Sequence, residues 1–117
     1  MIRIFVYGTL RVGDSRSSIL GQGGNTKFID NIKTASLYTL LDLGSFPALL
    51  TSGDTAIVGE LWEVDEYTKK YLDLIEGVPM LYQDEEIELE DGTTAIAYIF
   101  DFNRGYPIIE SGDWFNK

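Results

Sequence analysis

The segment from Phe5 to Arg11 combines an apolar strand with a glycine turn of a kind that can bind an anion. Phe5 and Val6 are β-prone and apolar, and the strand that contains them ends at Gly8. A glycine accepts backbone dihedral angles and close approaches that a β-carbon would forbid. Successive N–H groups in such a turn can point at one carboxylate or phosphate. An ordinary first strand followed by a turn fits the same residues, so both interpretations stay open here.

A second candidate for chemistry is Glu76, which the sequence places at the end of a helix. Asp65 is a typical N-cap residue, and Gly77 and Pro79 are stop signals directly after Glu76. Helix C-termini favour Lys, Arg and His rather than Glu, because they carry a partial negative charge. This dipole and partial burial would both favour the protonated form of Glu76, as suits general acid and base catalysis. An ordinary solvated glutamate also fits the periodicity.

Glu60 and four tyrosines are the remaining polar candidates. Side chains alternate between the two faces of a strand, so Glu60 lies on an apolar face of the predicted strand 56–64. On such a face we expect a glutamate to form a structural hydrogen bond more often than to act in catalysis. The tyrosines either line a pocket or are buried with satisfied hydroxyls; they are Tyr7, Tyr38, Tyr82 and Tyr98.

The elements that must position these residues follow from periodicity and turn signals. Beyond the first strand, the pattern predicts mostly strands in hairpin order and one long helix, 65–76, with Tyr67, Tyr71, Leu74 and Ile75 on its apolar stripe. The other predicted elements are a short helix 14–20, strands at 33–41, 46–50 (a short edge strand) and 56–64, a hairpin of 81–90 with 93–102 through a type I′ turn at Asp91-Gly92, and a docked tail 105–117. The fold class is therefore α+β, with an antiparallel-rich sheet that curls toward a barrel.

Composition narrows the classes of function. The chain has 117 residues, of which 44% are hydrophobic, enough for a single domain over residues 1–117. It has no cysteine and no histidine, which excludes disulfides, thiolate metal sites and a cysteine nucleophile. Its formal net charge of −10 argues against nucleic acid and against an anionic membrane surface as partners. No apolar run approaches the roughly 20 residues of a membrane span, and no signal peptide is visible, so we expect a cytoplasmic protein.

Much of the acidity lies in one run, residues 84–91. Its period of two predicts the solvated face of a strand, and strand carboxylates lack the spacing of a calcium loop. An interaction surface formed by Glu86, Glu88 and Glu90 is a further, weaker interpretation.

Several motifs together resemble the γ-glutamylcyclotransferase-like family, which includes γ-glutamylamine cyclotransferases and AIG2-like proteins. The resemblance runs in order over residues 3–102. Its motifs are Val6-Tyr7-Gly8-Thr9-Leu10-Arg11 with Gly13, Leu37-Tyr38, Phe46-Pro47-Ala48, Val58-Gly59-Glu60-Leu61-Trp62-Glu63-Val64, Leu72-Asp73-Leu74-Ile75-Glu76-Gly77 and Tyr82.

The resemblance implies a small mixed β-barrel with flanking helices and an enzyme that closes a γ-glutamyl amine or γ-glutamyl amino acid into 5-oxoproline and a free amine. It implies no metal and no organic cofactor. The acid/base would be Glu76. Tyr7, Gly8, Thr9 and Leu10 would bind the substrate α-carboxylate through backbone amides, and Tyr82 would also bind substrate.

Two positions depart from the family pattern. Many members carry an Asn-His pair shortly after the glycine equivalent to Gly13, and this chain has Asp14-Ser15 there. Many also carry an arginine two residues after the tyrosine matching Tyr82, where this chain has Asp84. These departures keep open the alternative of a non-catalytic module that binds a γ-glutamyl or 5-oxoproline-like molecule on the same fold. The oligomeric state has no signature in the sequence.

Overall fold

The computed structural model describes residues 1–8, 10–11, 25–76, 82–100 and 105–117. Within these ranges the chain forms seven strands, one α-helix and a short 3-10 helix. They are β1 (Ile2–Val6), β2 (Thr26–Lys33), β3 (Tyr38–Asp42), β4 (Pro47–Thr55), β5 (Val58–Val64), α1 (Glu66–Glu76), β6 (Gln83–Glu88), β7 (Thr94–Ile99) and the 3-10 helix Trp114–Asn116. The predicted helix 14–20 lies outside the described residues. The predicted α+β class, mostly strands with one helix, is confirmed.

The strands form one sheet in the order β2-β5-β1-β7-β4-β3, and β6 pairs with β7. Most of these pairings are antiparallel, but β7 runs parallel to both β1 and β4. One isolated bridge joins Thr34, after β2, to Leu89, after β6. This bridge brings distant parts of the sheet together without a ladder, so closure into a barrel stays a prediction.

The sequence prediction for strand 33–41 was wrong. β2 ends at Lys33 and pairs with β5, β3 begins at Tyr38 and pairs with β4, and residues 34–37 lie between these strands. Between them Thr34 is fully buried: its N–H donates to the Ile57 carbonyl at 2.9 Å, and its hydroxyl accepts the Ile57 N–H at 2.9 Å. These bonds continue the β2–β5 register one residue beyond Lys33.

The strand predicted at 46–50 is longer and more central than expected. β4 runs to Thr55 and lies between β7 and β3 rather than at an edge. Pro47 is the first residue of β4, where its missing N–H does not interrupt the hydrogen bonds within the strand pairing.

The hairpin of β6 and β7 is confirmed, but its type I′ turn is not. Gly92 has a positive φ of 84° whereas Asp91 does not, and type I′ needs both.

The first strand is buried on both faces, so it contributes to two hydrophobic clusters. Phe5 and Tyr7 belong to one cluster, and Ile4 and Val6 belong to the other. Leu72 of α1 packs in the second cluster. The helix therefore covers the face of the sheet on which Ile4 and Val6 lie.

The predicted bounds of α1 are confirmed, but its predicted apolar stripe is wrong. Asp65 caps the helix, since its Oδ1 accepts the Thr68 N–H at 2.8 Å. The buried residues of α1 are Thr68 and Leu72. Tyr67, Tyr71 and Leu74 of the predicted stripe are exposed, at 68%, 45% and 79%.

The end of the chain docks onto the body, as predicted. Trp114 packs against the first cluster, and Asp113 forms an ion pair of 2.8 Å with the buried Arg11. The Arg11 guanidinium also lies 4.0 Å from the centre of the Phe115 ring. Among the described residues, no helix has the length and apolarity that crossing a membrane requires.

Candidate active site

A pocket of about 560 Å³, including its open mouth, lies where the end of β1 meets the end of α1. Its walls come from five parts of the chain. They are the end of β1 and the following turn (Phe5, Val6, Tyr7, Gly8, Leu10), the start of β4 (Phe46, Pro47), the end of α1 (Ile75, Glu76), Tyr82 before β6, and Tyr98 of β7.

The structure brings most of the predicted site residues to this pocket. Tyr7, Gly8 and Leu10 line one side of it, and Glu76 and Tyr82 line it as well. Thr9 lies outside the described residues. Their assigned roles in binding and catalysis stay predictions.

Glycine is required at position 8 by packing. A β-carbon there would lie 2.6 Å from Cγ and 2.7 Å from Cδ of Pro47. The Gly8 carbonyl accepts the Arg11 N–H at 3.0 Å, which closes the turn after β1. The turn is therefore held against the start of β4, and Arg11 is itself held by the end of the chain.

Three of the four candidate tyrosines line the pocket, and Tyr38 does not. The Tyr7 hydroxyl donates to the Tyr98 carbonyl in a short hydrogen bond and accepts the Leu49 N–H at 3.2 Å. The Tyr82 hydroxyl donates to the Pro47 carbonyl at 2.8 Å. Tyr38 instead accepts the Glu88 N–H at 2.8 Å, away from the pocket. The hydroxyls of Tyr7 and Tyr82 thus join β1, β4, β7 and the segment before β6.

Two of these phenols are unsuited to act as bases. Burial raises the pKa of Tyr7 well above its usual value, and neighbouring Tyr82 and Glu76 add to the shift. Burial also raises the pKa of Tyr98, helped by its hydrogen bond to Asp73. Both hydroxyls therefore stay protonated near neutral pH. Among the described lining residues, Glu76 is the one carboxylate that can exchange a proton.

We expect Tyr7→Phe to destabilise the fold. The change removes one hydroxyl and leaves the Tyr98 carbonyl and the Leu49 N–H without that partner in a buried place. The free energy of unfolding should fall by about 1–3 kcal/mol, measured by denaturant unfolding. Tyr67→Phe, on the exposed face of α1, is the matched control and should change it by less than about 0.5 kcal/mol. Equal stability of the two variants would contradict the structural role of the Tyr7 hydroxyl.

Glu60 has the structural environment that its strand position predicted. It is 4% exposed, and its Oε1 accepts the Trp62 indole N–H at 3.1 Å. It does not line the pocket, so it does not compete with Glu76 for a catalytic role.

Asp84, one of the two departures from the family pattern, has a cationic partner. Its Oδ2 lies 2.9 Å from Nζ of Lys69, and this hydrogen bond lowers the pKa of Asp84. Lys69 also binds Asp73 at 2.7 Å. The sequence analysis did not single out this network, although the spacing of four residues between Lys69 and Asp73 is typical of a helical ion pair.

Sequence reasoning also left Phe46, Pro47 and Ile75 outside the site. All three residues lie in motifs that carry the resemblance, and this was the signal available in the sequence. Across the ranges that the structure describes, no group of three acidic, histidine or cysteine side chains is arranged to hold a metal ion.

The chain is similar in sequence and in structure to several known proteins. The sequence profile of the family described as "Gamma-glutamyl cyclotransferase, AIG2-like" matches residues 4–116. A Vibrio cholerae protein named "Putative gamma-glutamylcyclotransferase" is 38% identical over 111 residues, covering 95% of this chain and 93% of its own. Gamma-glutamylaminecyclotransferase A of Danio rerio is 31% identical over 126 residues, covering 99% of this chain and 75% of its own. The crystal structure of an AIG2-like protein from Mus musculus superposes with a TM-score of 0.83 at 28% identity, covering 97% of this chain and 88% of that one.

Proposed function

The chain belongs to the AIG2-like gamma-glutamyl cyclotransferase family, and on that premise we propose that it converts a small γ-glutamyl amine or γ-glutamyl amino acid into 5-oxoproline and a free amine. The observation that carries the proposal is the meeting of Glu76 with the turn at Gly8 in one pocket. A carboxylate and a glycine turn in one pocket can together serve an intramolecular acyl transfer of this kind.

Glu76 is the proposed acid and base. It accepts a proton from the substrate α-ammonium group, so that the amine nitrogen can attack the γ-carbonyl carbon and form the five-membered ring. The C–N bond to the leaving amine then breaks, and Glu76 returns the proton to the leaving nitrogen. One carboxylate between the two nitrogens can serve both steps, and such catalysis contributes about 10²–10⁴-fold.

Binding of the substrate α-carboxylate is assigned to backbone amides of residues 7–10. This assignment is supported by the lining of the pocket, which includes no lysine or arginine among its described residues. The walls also hold the substrate folded, and bringing its nitrogen to its own carbonyl carbon is a large part of the rate enhancement in such a ring closure. Tyr82, which lines the pocket and whose ring centre lies 6.3 Å from that of Phe46, is assigned to substrate contact.

The proposal is tested by measuring 5-oxoproline release from a panel of γ-glutamyl amino acids and γ-glutamyl amines, including ε-(γ-glutamyl)lysine. We expect at least one member to be turned over without added metal or cofactor, and its leaving amine names the substrate class. A silent panel with measurable binding of 5-oxoproline would overturn the proposal and favour the non-catalytic binding module. A silent panel without binding would contradict both.

A further inference from the structure

A polar cluster joins α1 to the hairpin of β6 and β7 beside the pocket. Its members, which we call the Lys69 cluster, are Lys69 and Asp73 of α1, Asp84 of β6 and Tyr98 of β7. Nζ of Lys69 lies 2.7 Å from Oδ1 of Asp73 and 2.9 Å from Oδ2 of Asp84. The same Oδ1 of Asp73 accepts the Tyr98 hydroxyl at 2.7 Å. Three secondary structure elements are therefore tied together by four side chains.

Lys69 is far more buried than a surface lysine. Its side chain is 13% exposed, and its ammonium lies 5.6 Å from the centre of the Tyr98 ring. Burial opposes its charge, but the hydrogen bonds to Asp73 and Asp84 outweigh that penalty, and the pKa of Lys69 is raised. Removal of the ammonium would leave the carboxylates of Asp73 and Asp84, which are 31% and 39% exposed, without their shared cation.

The helix has few apolar contacts that could replace the cluster. Leu72 is the one fully buried apolar side chain of α1, whereas Tyr67, Tyr71 and Leu74 are exposed. A helix of 11 residues with so narrow a buried face is weakly held in rotation about its axis. The Lys69 cluster supplies directional bonds on the side of α1 that faces β6 and β7.

The cluster is also connected to the pocket. Asp73 precedes Glu76 by three residues, so a rotation or shift of α1 that breaks its bonds displaces Glu76 as well. Tyr98 lines the pocket, and its carbonyl accepts the Tyr7 hydroxyl. The bonds of Lys69 thus hold the wall that carries Glu76 in place relative to the wall formed by β1.

We infer that Lys69 is a positioning residue that locks α1 to Asp84 of β6 and thereby sets the position of Glu76 in the pocket. The expected effect of Lys69 on turnover rests on the proposed function, whereas its expected effect on the position of the helix does not. It gives Asp84 a role in this chain: it is the anchor on the sheet to which the helix is tied.

Lys69→Met keeps most of the aliphatic stem and removes the charge. With a substrate identified from the panel, we expect kcat to fall about 10- to 100-fold because Glu76 is displaced, with little change in KM because the turn at Gly8 is untouched. Lys69→Arg should recover most of the lost kcat. Lys70→Met, which removes the same charge from an exposed neighbour, should behave as the parent protein does.

Asp84→Asn removes the charge of the other partner in the same ion pair. Asp84 is more exposed than Lys69, so this variant is the alternative test if Lys69→Met does not fold. Its kcat should also fall, and the Lys69→Met/Asp84→Asn double variant should lose less than the product of the two single losses, because both act on one interaction. Losses in kcat that multiply would overturn the inference.

Amide hydrogen exchange separates this inference from the proposed function, because it needs no substrate. In Lys69→Met we expect faster exchange over residues 70–76 and unchanged exchange in β5, whereas Lys70→Met should show neither effect. Unchanged exchange in α1, or parental kcat in Lys69→Met, would overturn the positioning role. If the parent protein releases no 5-oxoproline at all, the proposed function fails while the exchange result still decides the role of Lys69.

Discussion

Glu76→Gln should lower kcat for 5-oxoproline release by about 10²–10⁴-fold, the usual contribution of a positioned acid and base. The amide keeps the shape of the side chain but cannot accept the ammonium proton at neutral pH. Glu76 is the last residue of α1 and is only partly buried, so the fold should be retained. Substrate KM should change little, since binding of the α-carboxylate is assigned to the turn at Gly8. Steady-state kinetics on the best substrate of the panel measure both quantities.

The matched control for this prediction is Glu66→Gln at the other end of the same helix. It removes an equal charge from an exposed side chain far from the pocket lining, and should leave kcat within about twofold of the parent value. Thermal unfolding of both variants checks that neither has lost the native structure. Parental turnover in Glu76→Gln would exclude Glu76 as the group that transfers the proton.

Gly59→Ala should strongly destabilise the sheet. An added β-carbon would lie 2.4 Å from the Val6 carbonyl oxygen and 2.4 Å from Cζ of Phe5. The carbonyl belongs to β1, which pairs with β5, and Phe5 is 1% exposed, so neither can move freely. Forcing a methyl group into such a place costs about 1–3 kcal/mol or more, a large part of a typical stability of about 5–15 kcal/mol.

Denaturant unfolding measures this loss, with Ser52→Ala as control. Ser52 is exposed on β4, so its change should stay within about 0.5 kcal/mol. Because Phe5 also lines the pocket, Gly59→Ala should weaken turnover even where the protein remains folded. A parental unfolding midpoint in Gly59→Ala would show that β1 and β5 can separate at this point.

Local chemistry was enough to predict α1 and the hairpin of β6 and β7. Asp65 caps the helix, Glu76 ends it, and alternating charge marks the solvated positions of β6, where Ile87 is buried between exposed Glu86 and Glu88. The residues that specify these elements lie within a few positions of each other along the chain. A local sequence pattern is therefore enough to predict that the elements form. The pairing of Gly8 with Glu76 as parts of one site came from the resemblance to a family, since their separation along the chain carries no local signal.

The sequence by itself narrowed the candidate chemistry: without cysteine or histidine, the base of an enzyme on this chain is a carboxylate, a lysine or a tyrosine. Only the tertiary structure decided which face of α1 is buried and where strand 33–41 divides. The helix turns its aromatic residues outward because Lys69 and Asp73 find partners on β6 and β7. Pairing with the segment of β5 continues to Thr34, which exchanges two hydrogen bonds with Ile57, and β3 begins only at Tyr38. Both outcomes depend on partners more than ten residues away, and a local pattern contains no information about such partners.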